Sequence, residues 1–184
     1  MKLKQMNLKK MLLSLSASFF SNTSIAQYVT TPAFEKKINS LVSDFKSDVK
    51  TVENLRAELG KNKNILLLDA REVEEYSVSH IAGAVHVGYK NFNVEKVESK
   101  LRALKLSKSD VQVVVYCSVG YRSGVIADKL IEIGFKNTTN LFGGIFEWSN
   151  HEYELVDSQL SSTKKVHTYN KSWSKWLVNG EKVN

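Results

Sequence analysis

The stretch Val113-Val114-Val115-Tyr116-Cys117-Ser118-Val119-Gly120-Tyr121-Arg122-Ser123 decides the fold. With Val111 it opens on a β-branched run that reads as a buried parallel strand over Val111–Tyr116. The only cysteine of the 184-residue chain follows at once. A short loop with a glycine and an arginine comes next, and then an apolar-periodic helix over Ser123–Ile133. Gly134 closes that helix, and Phe135 stands where a hydrophobic contact often follows such a cap. A thiol between a parallel strand and a helix start sits among loop N–H groups and a helix dipole, and both stabilise negative charge. The thiolate, the reactive form of cysteine, is favoured there.

Outward from this stretch the pattern alternates. Phe34, Ile38, Leu41, Val42 and Phe45 have helical spacing, and this segment holds the only proline, Pro32. Val52, Leu55 and Leu59 predict a helix that begins after Thr51 as N-cap and stops at Gly60. Ile65–Leu68 reads as a buried strand, Ala84–Val87 as a short one, and Val94, Val97, Leu101 and Leu104 as an amphipathic helix. Asn140–Phe142 predicts a last short strand. Strands alternating with helical segments imply βαβ units and an α/β fold with a parallel sheet covered on both faces. In such sheets ligands bind beyond the carboxyl ends of the strands, and Cys117 and Asp69 both fall at that edge.

Cys117-x-x-Gly120-x-Arg122-Ser123 resembles the active-site loop of the rhodanese-like sulfurtransferases. Leu67-Leu68-Asp69-Ala70-Arg71-Glu72-x-x-Glu75-Tyr76, followed by His80-Ile81-Ala82-Gly83-Ala84, is similar to a second signature of that family. Leu141-Phe142-Gly143-Gly144-x-x-x-Trp148 resembles its closing segment. The three matches come in the family's order and span residues 48–150. The resemblance implies a rhodanese-like three-layer fold, and an exported bacterial member once the leader described below is considered. It also implies a sulfurtransferase in which Cys117 takes a sulfane sulfur from a donor such as thiosulfate and passes it, as a persulfide, to a thiol or cyanide. A protein thiol is a further acceptor of the same kind. The other function class is a binding, sulfur-carrier or redox-sensing module without turnover. Modules of that kind commonly lack the cysteine, which this chain keeps.

On this reading Cys117 is the catalytic residue and Ser118, Val119, Gly120, Tyr121, Arg122 and Ser123 form the substrate cup. Backbone N–H groups of the loop would cradle the negative persulfide. Gly120 permits a turn that a Cβ would obstruct. Arg122 offers a fork of donors to an oxyanion, its bland alternative being a pair with a carboxylate. Ser123 is expected to cap the helix or shape the loop, and Tyr121 to form the rim. Asp69, Arg71 and His80 read as support, the first two as a pair or loop ties and the histidine as a partner for backbone. No cofactor is implied.

Rival chemistries fit less well. Protein tyrosine phosphatases place five residues between cysteine and arginine, and here there are four, so the ring of donors is too tight for a phosphate ester. The hydrolase elbow Gly-x-Ser-x-Gly lacks its first glycine. His80, His86, His151 and His167 show no zinc-ligand spacing, and with one cysteine no metal site is expected.

The formal charge of +7 would suggest nucleic acid, but its distribution argues otherwise. Residues 1–26 have the order of a secretory signal peptide. Lys2, Lys4, Lys9 and Lys10 precede the apolar Met11–Phe20, which is too short to span a bilayer, and Ser24-Ile25-Ala26 offers a cleavage site. Cleavage before Gln27 leaves 22 basic residues against 19 acidic ones, a charge of +3. The expectation is a periplasmic or secreted protein with no nucleic-acid partner and no lasting membrane anchor. The mature chain then divides into a lead-in helix over 27–47, the domain over 48–150 and an extension over 151–184. Trp173 and Trp176, three apart on a predicted helix over Asn170–Leu177, should pack that extension back on the domain, the alternative being a tail that binds a partner or caps the active site.

Overall fold

The computed structural model describes residues 30–184; the expected signal peptide over 1–26 lies outside the described residues. Helix α1 (Pro32–Val42) starts where Thr31 Oγ1 accepts the Phe34 N–H at 3.2 Å, with Pro32 at the first helical position, which needs no donor. There follow β1 (Asp48–Lys50), α2 (Val52–Glu58), β2 (Ile65–Asp69), α3 (Val73–Val78), β3 (Val85–His86) and α4 (Val94–Leu104). Then come β4 (Gln112–Tyr116), α5 (Tyr121–Glu132), β5 (Thr138–Leu141) and α6 (Gly144–Asn150). The remaining elements are β6 (Leu155–Val156), β7 (Ser162–Thr163), β8 (Lys165–His167), α7 (Lys171–Ser174) and β9 (Glu181–Val183).

Among the described residues the main sheet has five strands in the order β1-β5-β4-β2-β3, and every neighbouring pair is parallel. The period-two rule divides its strands between two cores. Leu66, Leu68, Val113 and Val115 meet Val97 and Leu101 of α4 and Ile126 and Leu130 of α5 on one face. Leu67, Val114 and Tyr116 meet α1, α2 and α6 on the other. The chain is therefore a three-layer α/β structure, and the continuous apolar runs of β2 and β4 reflect burial on both faces. The β2–β4 register sets Asp69 beside Tyr116, so Cys117 leaves the sheet at its carboxyl edge.

Helix α5 begins at Tyr121, two residues before the predicted Ser123, because Gly120 serves as N-cap. Its other end follows the expectation: Gly134 takes φ +101° and the buried Phe135 donates its N–H to Leu130 O at 3.0 Å. The predicted helix over Asn170–Leu177 shortens to α7, one turn capped by Asn170 Oδ1 through the Ser172 and Trp173 N–H groups.

Residues 151–184 share a core with the rest of the chain. His80 and Val156 exchange backbone hydrogen bonds of 2.8 and 3.0 Å, and β8 pairs with β9. The indole of Trp176 stacks on Phe34 of α1, with centroids 5.3 Å apart. Both Trp173 and Trp176 are only half-buried, however, and the apolar anchors fully removed from water are Val166 and Leu177. The buried Asn150 completes the attachment. Its Oδ1 accepts the N–H groups of Val178 at 2.8 Å and Asn179 at 3.2 Å, and its Nδ2 donates to Trp176 O at 3.0 Å. Leu177→Ala should cost about 2–5 kcal/mol, as expected for a truncated core side chain. Truncation after Asn150 should lower Tm markedly by stripping Val166, Leu177 and both indoles from the core. Urea and thermal unfolding of the two variants check both statements.

Candidate functional site

Cys117 lies one residue past β4 and is 1% exposed. Its Sγ accepts the Gly120 N–H at 3.2 Å. That contact requires the turn at Gly120, where φ is +113° and an added Cβ would stand 3.2 Å from Val42 Cγ1. The first intrahelical bond of α5 is Gly124 N–H to Gly120 O, 3.1 Å. The N–H groups of Tyr121, Arg122 and Ser123 precede it and so have no acceptor within the helix. They form the positive end of the helix dipole beside the thiol.

Ser123 does not cap this helix: it sits within the first turn, fully buried. Its hydroxyl lies 2.7 Å from Asn140 Oδ1 and 3.4 Å from Cys117 Sγ. One hydroxyl proton serves one acceptor at a time, and the shorter bond takes it. Asn140 also donates to Gly120 O at 2.8 Å, so a β5 side chain holds both the loop glycine and the serine.

The other side of the loop is fixed by α6. Ile145 N–H donates to Cys117 O at 2.9 Å and Phe146 N–H to Ser118 O at 3.2 Å. Gly144, at φ +55°, makes this approach possible, since a Cβ there would fall 2.3 Å from Cys117 O.

Arg122 is 15% exposed and forms a two-pronged pair with Glu75 of α3, through Nη1 to Oε2 at 2.6 Å and Nη2 to Oε1 at 2.8 Å. Nη2 also reaches Ser118 Oγ at 2.9 Å, and that hydroxyl donates to Glu75 Oε1 at 3.1 Å. Both readings of Arg122 made from the sequence thus meet in one place: it lines the pocket over Cys117 and it pairs with a carboxylate. Burial pushes the Glu75 carboxyl up, but the hydrogen bonds and charge of Arg122 outweigh it, and the net shift is downward. Burial likewise opposes the charge on Arg122, and the bonds to Glu75 with the negative charge of Cys117 overcome it, so its pKa is raised.

Asp69, Arg71 and His80 stand outside this pocket. Asp69 and Arg71 form a fully buried pair, Nη2 to Oδ2 at 2.6 Å, and Arg71 Nη2 also donates to Ser79 O at 2.6 Å. His80 stacks on Tyr76 with centroids 3.9 Å apart, its Nδ1 lying 3.1 Å from Tyr76 O. The three bracket the passage from β2 through α3, which carries Glu75.

The pocket has a volume of about 430 Å³. Of the residues the sequence assigned to the cup, Cys117, Ser118, Val119, Tyr121 and Arg122 line it, and Gly120 and Ser123 do not. Glu72, Tyr89 and Lys90 line it too, and so do Leu41 of α1 and Tyr169 and Trp173 from the C-terminal segment. Sequence reasoning gave no role to Glu75 or Asn140 and did not place Leu41, Glu72, Tyr89 or Lys90 at the site; for the tail it offered capping of the site only as the alternative to packing on the domain. The one usable signal was Glu75, an acid at a fixed place in the upstream motif with a loop arginine to match.

Glu75 ties stability to pH. Its folded pKa lies below the unfolded value of about 4.3, so its contribution is complete above that pH. The contribution is lost as pH falls from there through the folded pKa. Glu75→Gln should be less stable than wild type at neutral pH and should lose less of its remaining stability on acidification below about pH 4.3. Urea midpoints measured against pH test this.

Comparison with known proteins agrees with the geometry. The model of the rhodanese-like domain matches residues 51–151. Thiosulfate sulfurtransferase GlpE of Coxiella burnetii is 34% identical over 105 residues, 55% of this chain and 89% of that protein. The thiosulfate:glutathione sulfurtransferase of Saccharomyces cerevisiae is 28% identical over 111 residues, 57% of this chain and 80% of that protein. Among solved structures, the BH2092 protein of Bacillus halodurans superposes with a TM-score of 0.51 at 23% identity, over 68% of this chain and 85% of that one, and shares the fold. A loop built around a helix-facing cysteine, a parallel three-layer frame and a family match over more than half its length together make this chain a member of the rhodanese-like domain family.

Proposed function

We propose that the chain is a sulfurtransferase that carries sulfane sulfur on Cys117. The observation that supports this best is the thiol itself, in the lining of a pocket and bonded by the Gly120 N–H at 3.2 Å. In the first step Cys117 thiolate attacks the outer sulfur of thiosulfate. The new Sγ–S bond forms as the donor's S–S bond breaks, and its electron pair leaves on sulfite. The product is a Cys117 persulfide anion, with the first-turn N–H groups of α5 at hand to stabilise it. In the second step cyanide or a thiolate attacks the outer sulfur, the Sγ–S bond breaks, and the pair returns to Cys117. No external oxidant or reductant is needed. The cycle is covalent and ping-pong.

Arg122 orients the anionic donor in this cycle, but Glu75 shares its charge, so its pull is weaker than that of a free guanidinium. A charge-assisted hydrogen bond contributes about 1.5–3 kcal/mol, or roughly 10- to 150-fold in efficiency. The pair with Glu75 places the expected loss near the lower end. Arg122→Ala also leaves a buried carboxylate without its cation, which on its own costs about 3–5 kcal/mol of stability. The double variant Arg122→Ala/Glu75→Gln removes that complication.

Incubation of wild type with thiosulfate should add one sulfur atom to the intact mass, and Cys117→Ser should add none while keeping its fold. The double variant should lose about 10-fold in kcat/KM with thiosulfate and less with a polysulfide donor, which offers no comparable oxyanion. If wild type gains no sulfur from any donor, the chain is a binding module without turnover. Equal losses with both donors would make Arg122 a residue that shapes the loop.

A further inference from the structure

The C-terminal segment, which lies outside the residues matched to the family, supplies two walls of the Cys117 pocket, Tyr169 and Trp173. Tyr89 and Tyr121 line the same pocket, so four aromatic side chains from separate parts of the chain share a lining with Cys117. At about 430 Å³ the pocket falls within the range of sites for organic ligands and far exceeds what cyanide or thiosulfate fills. Its charges oppose one another. Arg122 is paired with Glu75, and Glu72 and Lys90 bring one charge of each sign to the lining. A pocket with aromatic walls, whose guanidinium is already paired, favours an apolar occupant over an ionic one.

Tyr169 carries a second sign. Its φ is +66°, a conformation uncommon for a bulky residue, and its N–H is held by His167 Nδ1 at 3.1 Å. The ring gains little burial from this arrangement, remaining 57% exposed. What the arrangement does is set the ring over Arg122, 5.4 Å from the guanidinium carbon, at the edge of the cup. Strain retained without burial, beside an arginine of the pocket, is the mark of a side chain kept for its position.

We infer that Tyr169 and Trp173 form an acceptor subsite that selects an organic thiol with an aromatic or bulky apolar body. The inference rests on the sulfur-transfer reading above and specifies its second step. The thiolate of the acceptor attacks the outer sulfur of the Cys117 persulfide. A new persulfide forms on the acceptor, the Sγ–S bond breaks, and its electron pair returns to Cys117 as thiolate. The apolar body of the acceptor lies between the rings during this attack.

The test compares 2-naphthalenethiol with cyanide as acceptors, thiosulfate being the donor. Asn is the substitution of choice at position 169, because it suits a positive φ and removes the ring. The ratio of kcat/KM for the arenethiol to that for cyanide should fall roughly 2- to 10-fold in Tyr169→Asn, and by a similar factor in Trp173→Ala, the contribution expected of one aromatic contact. The Tm of Tyr169→Asn should not fall. A second measurement needs no turnover: calorimetric binding of 2-naphthalenethiol to Cys117→Ser, and its weakening when Tyr169→Asn is added. An unchanged acceptor ratio in both variants overturns the inference while leaving sulfur transfer intact. If wild type takes up no sulfur from thiosulfate, the calorimetric arm decides: binding that depends on Tyr169 upholds the aromatic subsite, and absence of binding removes it.

Discussion

Glu75 places a carboxylate where water scarcely reaches, and the shape of the cysteine loop follows from how that charge is held. A buried carboxylate is tolerable only with a cation and a full set of donors. Arg122 supplies the cation through two hydrogen bonds, Ser118 supplies a hydroxyl, and the Glu72 backbone N–H adds a third kind of donor at 3.1 Å. Two of these donors belong to the loop itself, one close after the cysteine and one in the first turn of α5. Satisfying Glu75 therefore draws both ends of the loop toward α3. The Asp69–Arg71 pair acts one step earlier, fixing the path from β2 into the helix that carries Glu75. Neither pair adds much net stability by being buried, because desolvation cancels most of the attraction. Their effect is to leave the loop one arrangement in which no charge is stranded.

The opposite side of the loop is held by backbone alone. Gly144 lets the start of α6 approach the Cys117 and Ser118 carbonyls closely enough to donate to both. Between the salt bridge and the helix start, the carbonyls of the loop are committed outward. The N–H groups of the next residues are left on the side of the thiol. The polarity of the cup thus comes from backbone placement more than from a side-chain charge.

Much of this was legible in the sequence, for physical reasons that also explain the rest. β2 and β4 are covered on both faces, so they appear as unbroken apolar runs, and α4 and α5 carry wide apolar stripes. β1 escaped because it is a three-residue edge strand, Asp48–Lys50, with one valine. Helix α3 escaped because its buried residue is Glu75, where a periodicity search looks for an apolar one. Helix α6 opens on glycine, the residue that ordinarily argues against a helix, and its use here is a close contact invisible in one dimension. The start of α5 was placed two residues late because a serine is the usual cap, whereas here a glycine with positive φ takes that position. The tryptophans of the tail pointed correctly to packing. Their share was overstated because Val166 and Leu177, small and undistinguished in the sequence, take the fully buried positions.

The charge balance of the cup bears on the choice of chemistry. A loop that grips a phosphate ester needs a guanidinium free to face a dianion and a ring of N–H donors wide enough to surround it. Here the guanidinium next to the cysteine is half-spent on Glu75, and the loop has four residues between Cys117 and Arg122. What remains at the thiol is a recess lined by backbone dipoles. Such a recess stabilises a single negative charge spread over a large, polarisable sulfur atom, and it holds a compact dianion only weakly.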